Sequence, residues 1–598
     1  MAKSILYEDL STLLRRAKKI KIIVIVIFIV LIVSFWKIQI LDNKEYLRKS
    51  ESNLLREIVL KAPRGLIKDR NGKILADNVA SFKASIIREN CEDLDSSVEQ
   101  ISKLLNMEKT VLEERIMKYE SLPEFKPIVV KENLSRKELS ILSARQLEYP
   151  ELVIQTEPKR SYPYNSFASH VLGYLQEITK EELKQDFYKD RRLGDIVGKT
   201  GVEKKYESEI LGIDGQIVEI VDSLGRKKGE RSRREPVRGQ DLKLTLDFEL
   251  QKKSEDLLEG KEGVIIILNP NTGEIYAMAS YPDFDPNRFI NRFTPEEWKD
   301  LTNSPEFPLE NRAIRGLYAP GSVFKLTMAL SSLDMNVITP KKTFFCRGKA
   351  VFYGHPFSCW LEYGHGKIDL ISGIQHSCNI YFYNLGKRLG IESISKYAKM
   401  LGFGKKTGID LIDEKKGLFP DETWKKRVRN EPWYPGETIS IAIGQGPILV
   451  TPVQIAVHTA FIANRGRVIT PHLVMTEGNE KDRLEKPEWI DIKNSSFEYV
   501  IKGMWKAVNE HGTAKAAMVP EFQICGKTGS TQLVSKETAE KMEKKDIEIK
   551  THSWFTGFAP KDEPEVVITV LVEYGGWGGE TAALLARELF QLFRETYD

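Results

Sequence analysis

The distribution of apolar and polar positions divides the chain into an N-terminal apolar run, a mixed charged stretch and a C-terminal part with alternating helical and strand patterns. Residues 22–36 carry no charge and are almost entirely aliphatic. With Lys21 and Lys37 directing their amines towards water, the run extends to Leu41 and reaches the ~20 residues that a bilayer span needs. We therefore predict a transmembrane helix over residues 22–41. A cleaved signal peptide is the alternative, but no small-residue cleavage site follows the run.

Five basic residues precede this run, at Arg15, Arg16, Lys18, Lys19 and Lys21. Because basic residues stay on the cytoplasmic side of a span, they place the N-terminus in the cytoplasm. The sequence therefore predicts a single-pass protein of the cytoplasmic membrane. Residues 1–21 form a cytoplasmic tail, and the chain that follows the span is extracytoplasmic.

Residues 42–240 have a mixed, charged composition, with a helical pattern over residues 102–119 and no set of residues arranged for acid–base chemistry. We predict an elongated, non-catalytic pedestal domain here. Residues 226–238 are rich in Arg and Lys, which is typical of a solvated linker. Contact with lipid headgroups or an anionic polymer is the functional alternative for that stretch.

The patterns of residues 241–598 predict an α+β domain. Residues 241–246 alternate like a strand, and two apolar runs, 263–268 and 274–279, flank a turn and predict a hairpin. Two later β-rich runs and a terminal amphipathic helix complete the pattern, over residues 522–534, 566–574 and 585–593. We predict an antiparallel sheet flanked by helices, with the Lys- and Glu-rich residues 535–551 forming an exposed connection.

The composition fits this division and narrows the class of partner. The 598 residues, 41% of them hydrophobic, are enough for more than one domain with a sizeable core. The net charge is only +4, which is too balanced for a protein whose main partner is a nucleic acid.

Three short motifs in the C-terminal part predict a serine acyl-transfer site. They are Ser322-Val323-Phe324-Lys325, Ser377-Cys378-Asn379 and Lys527-Thr528-Gly529. Residues three apart share a helix face, so the Lys325 amine can take the proton of the Ser322 hydroxyl and produce an attacking alkoxide. Pro320-Gly321 before an apolar run places Ser322 at a helix start, where free N–H groups favour developing negative charge.

Further copies of these patterns are interpreted as ordinary loops and helix faces. Ser34 to Lys37 lies in the apolar run, and Ser393 to Lys396 lies in a polar stretch. Lys199-Thr200-Gly201 and Lys406-Thr407-Gly408 have no strand pattern before them. Ser377-Cys378-Asn379 is the only S-x-N in the sequence.

In this order, the three motifs resemble those of the penicillin-binding protein and serine β-lactamase superfamily. Further landmarks resemble class B penicillin-binding proteins over nearly the whole chain, and they are Arg64 to Gly72, Arg160-Ser161-Tyr162-Pro163, Gly198 to Gly215 with Gly201-Val202-Glu203, Asn269 to Glu274, and Gly444-Gln445-Gly446. Residues 360–366, which include Gly364-His365-Gly366, are similar to the elongation type rather than the septal type. Ser530 departs from the family, which usually has Thr there, but it retains a hydroxyl group.

The resemblance implies a role for each motif residue. Ser322 is the nucleophile and Lys325 the general base, while Ser377 and Asn379 relay protons and hold the substrate amide. Lys527 completes the catalytic set, and Thr528, Gly529 and Ser530 bind the substrate. Lys527 and Thr528 receive its terminal carboxylate, and the N–H groups of Ser322 and Ser530 form the oxyanion hole.

The activity that the resemblance implies is that of a membrane-anchored D,D-transpeptidase. It cross-links peptidoglycan stem peptides ending in D-alanyl-D-alanine through a serine acyl-enzyme, for cell-wall elongation and rod shape. A carboxypeptidase side activity and inhibition by β-lactams are expected, as is a SEDS-family (RodA-like) glycosyltransferase as the membrane partner. A septal transpeptidase and a β-lactam-sensing receptor are the alternatives, although a receptor would normally need a larger cytoplasmic effector.

The five cysteines, Cys91, Cys346, Cys359, Cys378 and Cys525, cannot all pair because their number is odd. Cys346, Cys359, Cys378 and His365 offer the four N/S ligands of a closed tetrahedral zinc site. Some elongation-type relatives carry zinc near this place through Asp, Asp, His and Cys, and the resemblance implies that Cys346 and Cys359 replace the two carboxylates. A Cys346–Cys359 disulfide, or His355 in place of His365, is the alternative. The acyl transfer itself needs no cofactor.

Overall fold

The structure, a computed structural model, describes residues 10–44, 54–120, 123–222, 227–290, 293–475, 488–532 and 551–597. The chain forms two compact units that interleave along the sequence. The first unit comprises Met1–Pro63, Val79–Lys159 and Gly212–Arg238, and the second comprises Arg64–Asn78, Arg160–Leu211 and Gly239–Asp598. The exposed connection predicted over residues 535–551 lies, apart from its last residue, outside the described residues.

The strands are numbered in chain order. Those before residue 240 are β1 Leu55–Leu60, β2 Ile67–Lys68, β3 Ile74–Ile86, β4 Ile128–Lys131, β5 Leu152–Ser161, β6 Leu175–Glu177, β7 Ile196–Gly198, β8 Gly215–Val221 and β9 Lys227–Arg234. Those after it are β10 Leu242–Lys243, β11 Gly263–Leu268, β12 Ile275–Tyr281, β13 Phe344–Cys346, β14 Lys349–Phe352, β15 His355–Ser358, β16 Gly366–Ile368, β17 Cys525–Gln532, β18 Thr551–Ala559 and β19 Val566–Val572.

The helices are numbered in the same way. Those before residue 300 begin with the apolar run, and they are α1 Leu10–Trp36, α2 Leu94–Leu105, α3 Lys109–Lys118, α4 Arg136–Ala144, α5 Ser169–Leu172, α6 Gly201–Lys205, α7 Glu207–Ile210, α8 Phe248–Leu258, α9 Asn287–Ile290 and α10 Pro295–Asn303. The later ones are α11 Arg312–Arg315, α12 Lys325–Asp334, α13 Leu370–Gln375, α14 Asn379–Met400, α15 Glu422–Arg429, α16 Pro435–Ile441, α17 Pro452–Ala463, α18 Asn494–Asn509 and α19 Ala582–Tyr597.

The apolar run of the first unit forms α1, which continues as a π-helix over Lys37–Leu41, so residues 22–41 are helical as predicted. Leu13–Leu41 is long and apolar enough to cross a membrane, with a mean hydropathy of 2.7. The most apolar part of this segment has no side chains buried against the rest of the protein. Because so much exposed aliphatic surface is unfavourable in water, the helix fits the predicted membrane anchor.

The helical pattern predicted over residues 102–119 forms two helices rather than one. α2 ends at Asn106, which has a left-handed φ of 50°, and α3 begins at Lys109. Asparagine enters the left-handed region more readily than most residues, so the helix can end there. The spacing of apolar residues nevertheless continues from α2 into α3. Ile101 of α2 and Leu112 of α3 still pack into one core with Ile86 and Ile128 of the strands beneath.

The second unit contains a five-stranded antiparallel sheet in the order β12-β11-β19-β18-β17. The predicted hairpin is confirmed as β11 and β12, and the two later β-rich runs are confirmed as β17 and β19. The prediction of a strand over residues 241–246 is only partly right, because β10 has two residues and pairs with β2 in a different sheet.

Both faces of the five-stranded sheet are covered, which explains the continuous apolar runs in its central strands. Val264 and Ile266 of β11 lie in the same core as Leu326 of α12. Ile265, which points to the opposite face, lies in a second core with Leu589 of α19. Helix α12, which begins at Lys325, is thereby packed against one face of the sheet.

Three of the sequence landmarks contribute to a buried ionic cluster in the second unit. Glu203 Oε2 lies 2.8 Å from Arg64 Nη2, and Glu203 Oε1 lies 2.6 Å from Arg160 Nε. Glu207 accepts a further hydrogen bond from Arg64 at 2.7 Å, and the Tyr162 hydroxyl donates to Glu203 at 3.2 Å. Burial alone would raise the pKa of Glu203, but the charges of Arg160 and Arg64 outweigh it and lower the pKa.

Replacing Glu203 by alanine is expected to destabilise the second unit by about 3–5 kcal/mol, because two buried guanidinium groups would lose their shared carboxylate. Glu209→Ala is a matched control on the neighbouring helix, since Glu209 is exposed and its loss is expected to cost less than about 0.5 kcal/mol. Denaturant unfolding of the detergent-solubilised chain, followed by tryptophan fluorescence, measures both. Equal stabilities of Glu203→Ala and the wild type would contradict a stabilising role for the cluster.

Candidate active site

Ser322 lies on a turn that is held by a hydrogen bond to Gly444, which is distant in the sequence. The residue is part of a 3₁₀ turn, Gly321–Phe324, immediately before α12. The Gly321 N–H donates to the Gly444 carbonyl at 3.0 Å, and the two glycines have φ values of 54° and 71°. A Cβ on Gly444 would lie 2.1 Å from the Gly321 carbonyl oxygen. Gly444 therefore supports the turn that carries Ser322 through a backbone contact that only glycine permits.

Lys325 is buried, and its amine is directed at the second motif. Nζ donates to the Ser377 carbonyl at 2.8 Å, to Ser377 Oγ at 3.2 Å and to Asn379 Oδ1 at 2.6 Å. The hydrogen bonds that the structure describes for this amine all go to residues 377–379, and none goes to Ser322 Oγ. The lysine therefore joins the first two motifs, with Ser322 one helical turn before it.

Lys527 approaches the same serine hydroxyl from the third motif. Its Nζ donates to Ser377 Oγ at 2.9 Å and to the Thr528 carbonyl at 2.8 Å. Lys325 and Lys527 both have an exposed fraction of 0%. Burial lowers the pKa of Lys325 to about 8 and, together with the charge of Lys325, holds the pKa of Lys527 well below its usual value. A lysine with a pKa near 8 is partly neutral at neutral pH, as a general base must be.

Strand β17 lies directly against the turn that carries Ser322. A Cβ on Gly529 would be 3.2 Å from the Pro320 carbonyl oxygen, so glycine allows the close approach. Thr531 Oγ1 and Trp554 Nε1 both donate to the Ala319 carbonyl, at 3.1 and 3.2 Å. These contacts fix the position of the third motif relative to Ser322.

Two residues that the sequence analysis missed hold the hydroxyl groups of β17. Thr528 Oγ1 donates to Thr513 Oγ1 at 2.9 Å, and the Gly578 N–H donates to Ser530 Oγ at 3.0 Å. Thr513 follows α18, and Gly578 follows β19. Neither residue lies in one of the three motifs or in a periodic run of apolar residues. Only the pairing of distant segments brings them to the site.

The remaining copies of the motifs lie outside this arrangement. Ser34 is exposed on α1, and Ser393 lies on α14. Lys199-Thr200-Gly201 leads into α6, and residues 406–408 lie in a loop. The structure brings together the three motifs that the sequence analysis selected, with Thr528, Gly529 and Ser530 on the strand beside them.

The second motif also contributes to a cluster of three cysteines and a histidine. Cys346 ends β13, Cys359 follows β15, His365 precedes β16 and Cys378 caps α14. Each offers one ligand atom, and the four atoms lie within 4.8 Å of one another. All five cysteines are free thiols, and His355 lies exposed on β15.

The spacing within this cluster fits a tetrahedral zinc ion. Zn–S bonds of ~2.3 Å and Zn–N bonds of ~2.0 Å at tetrahedral angles imply an S···N separation of about 3.5 Å. His365 Nδ1 lies 3.5 Å from Cys359 Sγ and 3.6 Å from Cys346 Sγ. Thiolate and imidazole donors also suit zinc better than magnesium or calcium.

Comparison with protein families and curated proteins gives matches over both units. The penicillin-binding protein transpeptidase domain matches residues 263–591, and the penicillin-binding protein dimerisation domain matches residues 59–244. The peptidoglycan D,D-transpeptidase MrdA of Acinetobacter baumannii is 33% identical, over 95% of this chain and 86% of that protein. The MrdA protein of Escherichia coli strain K12 is 29% identical, over 94% and 91% respectively.

The chain is also similar, over nearly its whole length, to solved structures of penicillin-binding proteins. The chain superimposes with a TM-score of 0.82 on the penicillin-binding protein PBP2 in a complex with MreC from Helicobacter pylori, at 31% identity, covering 91% of this chain and all of that one. For Pseudomonas aeruginosa PBP2 in complex with WCK 5153 the TM-score is 0.68, at 30% identity, covering 90% and 96%. A third structure, described as the structural coordination of polymerization and crosslinking by a peptidoglycan synthase complex, has a TM-score of 0.73 at 30% identity and covers 98% and 99%.

Gly444→Ala is expected to slow acylation of the protein by about 100-fold, because the added methyl group would displace the turn that carries Ser322. Gly446→Ala is the matched control. Gly446 also has a positive φ, of 87°, but the nearest atom to a Cβ there would be 3.6 Å away. Acylation by a fluorescent penicillin measures the rates, and thermal midpoints show whether both variants are folded. Similar rates in the two variants would show that the Gly444 contact does not hold the turn.

Proposed function

The chain belongs to the penicillin-binding protein family, and from that premise we propose that it is a membrane-anchored peptidoglycan D,D-transpeptidase of the elongation type. The observation that carries the proposal is the convergence of two amines on one hydroxyl. Lys325 and Lys527 lie 3.2 and 2.9 Å from Ser377 Oγ, beside the turn that carries Ser322. In this proposal Lys325 is the base, Ser377 is the proton relay, Lys527 is a further amine beside the relay, and Ser322 is the nucleophile.

In the acylation step, Ser322 Oγ attacks the carbonyl carbon of the penultimate D-alanine of a stem peptide. The hydroxyl proton goes to neutral Lys325, a C–O bond forms and the peptide C–N bond breaks. Ser377 Oγ, which contacts both amines, passes its proton to the leaving nitrogen and takes a proton back from the protonated Lys325, so that the terminal D-alanine departs as an amine and Lys325 is neutral again. The Lys325–Ser377–Lys527 contacts support this route for the proton.

In the second half of the reaction, the amine of a neighbouring stem peptide attacks the Ser322 ester. A C–N bond forms, the ester C–O bond breaks, and a proton from the amine returns to Ser322 Oγ. Attack by water in place of the amine would release the free acid, which is the carboxypeptidase side reaction.

The substrate lies along β17 in this proposal. Lys527 and the Thr528 hydroxyl receive the terminal carboxylate, Gly529 allows the peptide backbone to come close, and Asn379 holds a substrate amide. The N–H groups of Ser322 and Ser530 stabilise the developing oxyanion by roughly 3 kcal/mol each. A β-lactam would occupy the same place and form an ester with Ser322.

The assignment to the elongation type rests on the relatives named MrdA and PBP2, which match most of the chain. Nothing in the described residues favours the septal or the β-lactam-sensing alternative. The chemistry of Ser322 would be the same in each.

We place residues 1–21 in the cytoplasm and the span at residues 22–41. The pedestal over 42–240 and the transpeptidase domain over 241–598 then lie outside the cytoplasm. The basic residues that precede the span support this orientation. A pedestal suits an enzyme whose substrate, the cell wall, lies at some distance from the bilayer.

A SEDS-family, RodA-like glycosyltransferase is the proposed partner in the membrane. The similarity to a peptidoglycan synthase complex described as coordinating polymerisation and crosslinking supports it. Cross-linking needs freshly polymerised strands, so the two activities belong together. An MreC-type protein is a second proposed partner, supported by the Helicobacter pylori complex.

Cys346, Cys359, His365 and Cys378 are proposed to hold one structural zinc ion. When bound, the ion would be held by four protein ligands, which leaves no open position for a substrate. Cys378 lies between Ser377 and Asn379, so the cluster would brace the part of the site that faces Lys325. The acyl transfer itself would run on the side chains alone.

Incubation with a fluorescent penicillin is expected to label the wild-type protein and to leave Ser322→Ala unlabelled, because the ester requires Ser322 Oγ. Ser393→Ala is the matched control, since Ser393 also begins an S-x-x-K sequence, and it is expected to label normally. Gel fluorescence measures the label, and mass spectrometry of the labelled peptide locates it. Labelling that survives Ser322→Ala would place the nucleophile elsewhere.

Metal analysis of protein purified under reducing conditions is expected to give about one zinc ion per chain, and Cys359→Ser is expected to bind less than about 0.2 equivalents. Cys91→Ser, outside the cluster, should retain the metal and serves as the control. A loss of zinc should also lower the thermal midpoint of unfolding, because the ligands come from four separate segments. Less than half an equivalent of zinc in the wild type would rule out the proposed zinc site.

A further inference from the structure

Two partly exposed tryptophans link opposite sides of the catalytic trench, the space between residues 377–379 and strand β17. Trp360 belongs to the side of the second motif. Its Nε1 donates to the His376 carbonyl at 3.0 Å, one residue before Ser377. The ring centroids of Trp360 and His365 lie 5.4 Å apart, so Trp360 also packs against the histidine of the Cys/His cluster.

Trp577 belongs to the side of the third motif. Its carbonyl accepts a hydrogen bond from Ser553 Oγ at 3.3 Å, and the next residue, Gly578, donates to Ser530 Oγ. A Cβ on Gly578 would lie 2.4 Å from the Gly529 carbonyl oxygen. The segment that carries Trp577 therefore lies directly against β17.

The two indole rings meet across the trench. Their centroids are 6.4 Å apart and their planes are inclined at 62°, which is an edge-to-face contact. Trp360 is 45% exposed and Trp577 is 58% exposed, so the contact lies at the protein surface rather than in the core. An edge-to-face pair is weak compared with the contacts that a bound peptide makes, so an incoming peptide can separate the rings.

We propose that Trp360 and Trp577 form an aromatic bridge that determines which nucleophile resolves the acyl-enzyme, favouring a peptide amine over water. The inference rests on the proposed transpeptidase function. Closed over the Ser322 ester, the rings present apolar surface and displace water from it. A peptide long enough to contact both sides of the trench opens the bridge and brings its own amine to the ester.

The two outcomes differ only in the attacking group. With an amine, a C–N bond forms as the ester C–O bond breaks, and one proton of the amine passes to Ser322 Oγ. With water, a C–O bond forms, the same ester bond breaks, and the proton again passes to Ser322 Oγ. The ratio of hydrolysed to transferred product therefore reports the selectivity of the bridge.

The test supplies a soluble donor peptide ending in D-alanyl-D-alanine and a short acceptor peptide with a free side-chain amine. Mass spectrometry measures the ratio of hydrolysed to transferred product. Trp360→Ala and Trp577→Ala are each expected to raise this ratio about tenfold, while the rate of acylation by a fluorescent penicillin stays within about threefold of wild type. Trp577→Phe keeps an aromatic contact and is expected to keep the wild-type ratio.

Tyr363→Ala is the matched control, because Tyr363 lies in the same loop as Trp360 and is 91% exposed. An unchanged ratio in both alanine variants, with acylation intact, would overturn the proposal. If an alanine variant loses penicillin labelling, Trp360→Leu or Trp577→Leu, which fill space without a ring, decides by the same ratio. A wild-type protein that takes no penicillin label would instead refute the transpeptidase function, so the two failures are distinct.

Discussion

The arrangement of the second unit depends on one constraint. Two buried lysine amines must share a single serine hydroxyl, that of Ser377. Taking two neighbouring ammonium groups out of water is strongly unfavourable, and the hydrogen bonds described for these amines go to uncharged oxygens of Ser377, Asn379 and Thr528. The molecule responds by lowering the pKa of both lysines. The desolvation that would weaken the fold therefore also makes Lys325 a better proton acceptor at neutral pH, as its predicted role as a base requires. The rest of the unit must offset the free-energy cost of burying these two amines. The large apolar core around the site contributes that stability.

The elements that could be predicted from the sequence are those set by neighbouring residues. The apolar helix at the N-terminus and the β11–β12 hairpin each follow from a local pattern, and the structure contains both. The break at Asn106 could not be predicted, because the apolar spacing continues across it while the backbone does not. Strand β10 is short because its partner is the two-residue strand at Ile67, far away in the sequence.

In the candidate site, too, the sequence identifies residues that lie in short motifs but not the contacts that depend on tertiary structure. Ser322, Ser377 and Lys527 could be named from short motifs, and the structure brings them together, although their catalytic roles stay predictions. The direction of the Lys325 amine, towards Ser377 and Asn379 rather than Ser322, depends on tertiary packing that no spacing rule reports. Thr513 and Gly578 were missed because neither lies in a pattern, and each reaches the site only through the folding of distant segments.

Strand β17 ends the five-stranded sheet, and among the described residues no further strand pairs with its outer side. An extended peptide can add there as a sixth strand, recognised through main-chain groups that every peptide carries. Such recognition tolerates differences in side chains, so variation in stem-peptide composition would weaken binding little. Any other extended segment, including one from a second copy of the chain, could also form backbone hydrogen bonds with this edge. Most proteins cover or charge their sheet edges to prevent this, whereas the proposed binding of the substrate along β17 requires this edge to stay accessible.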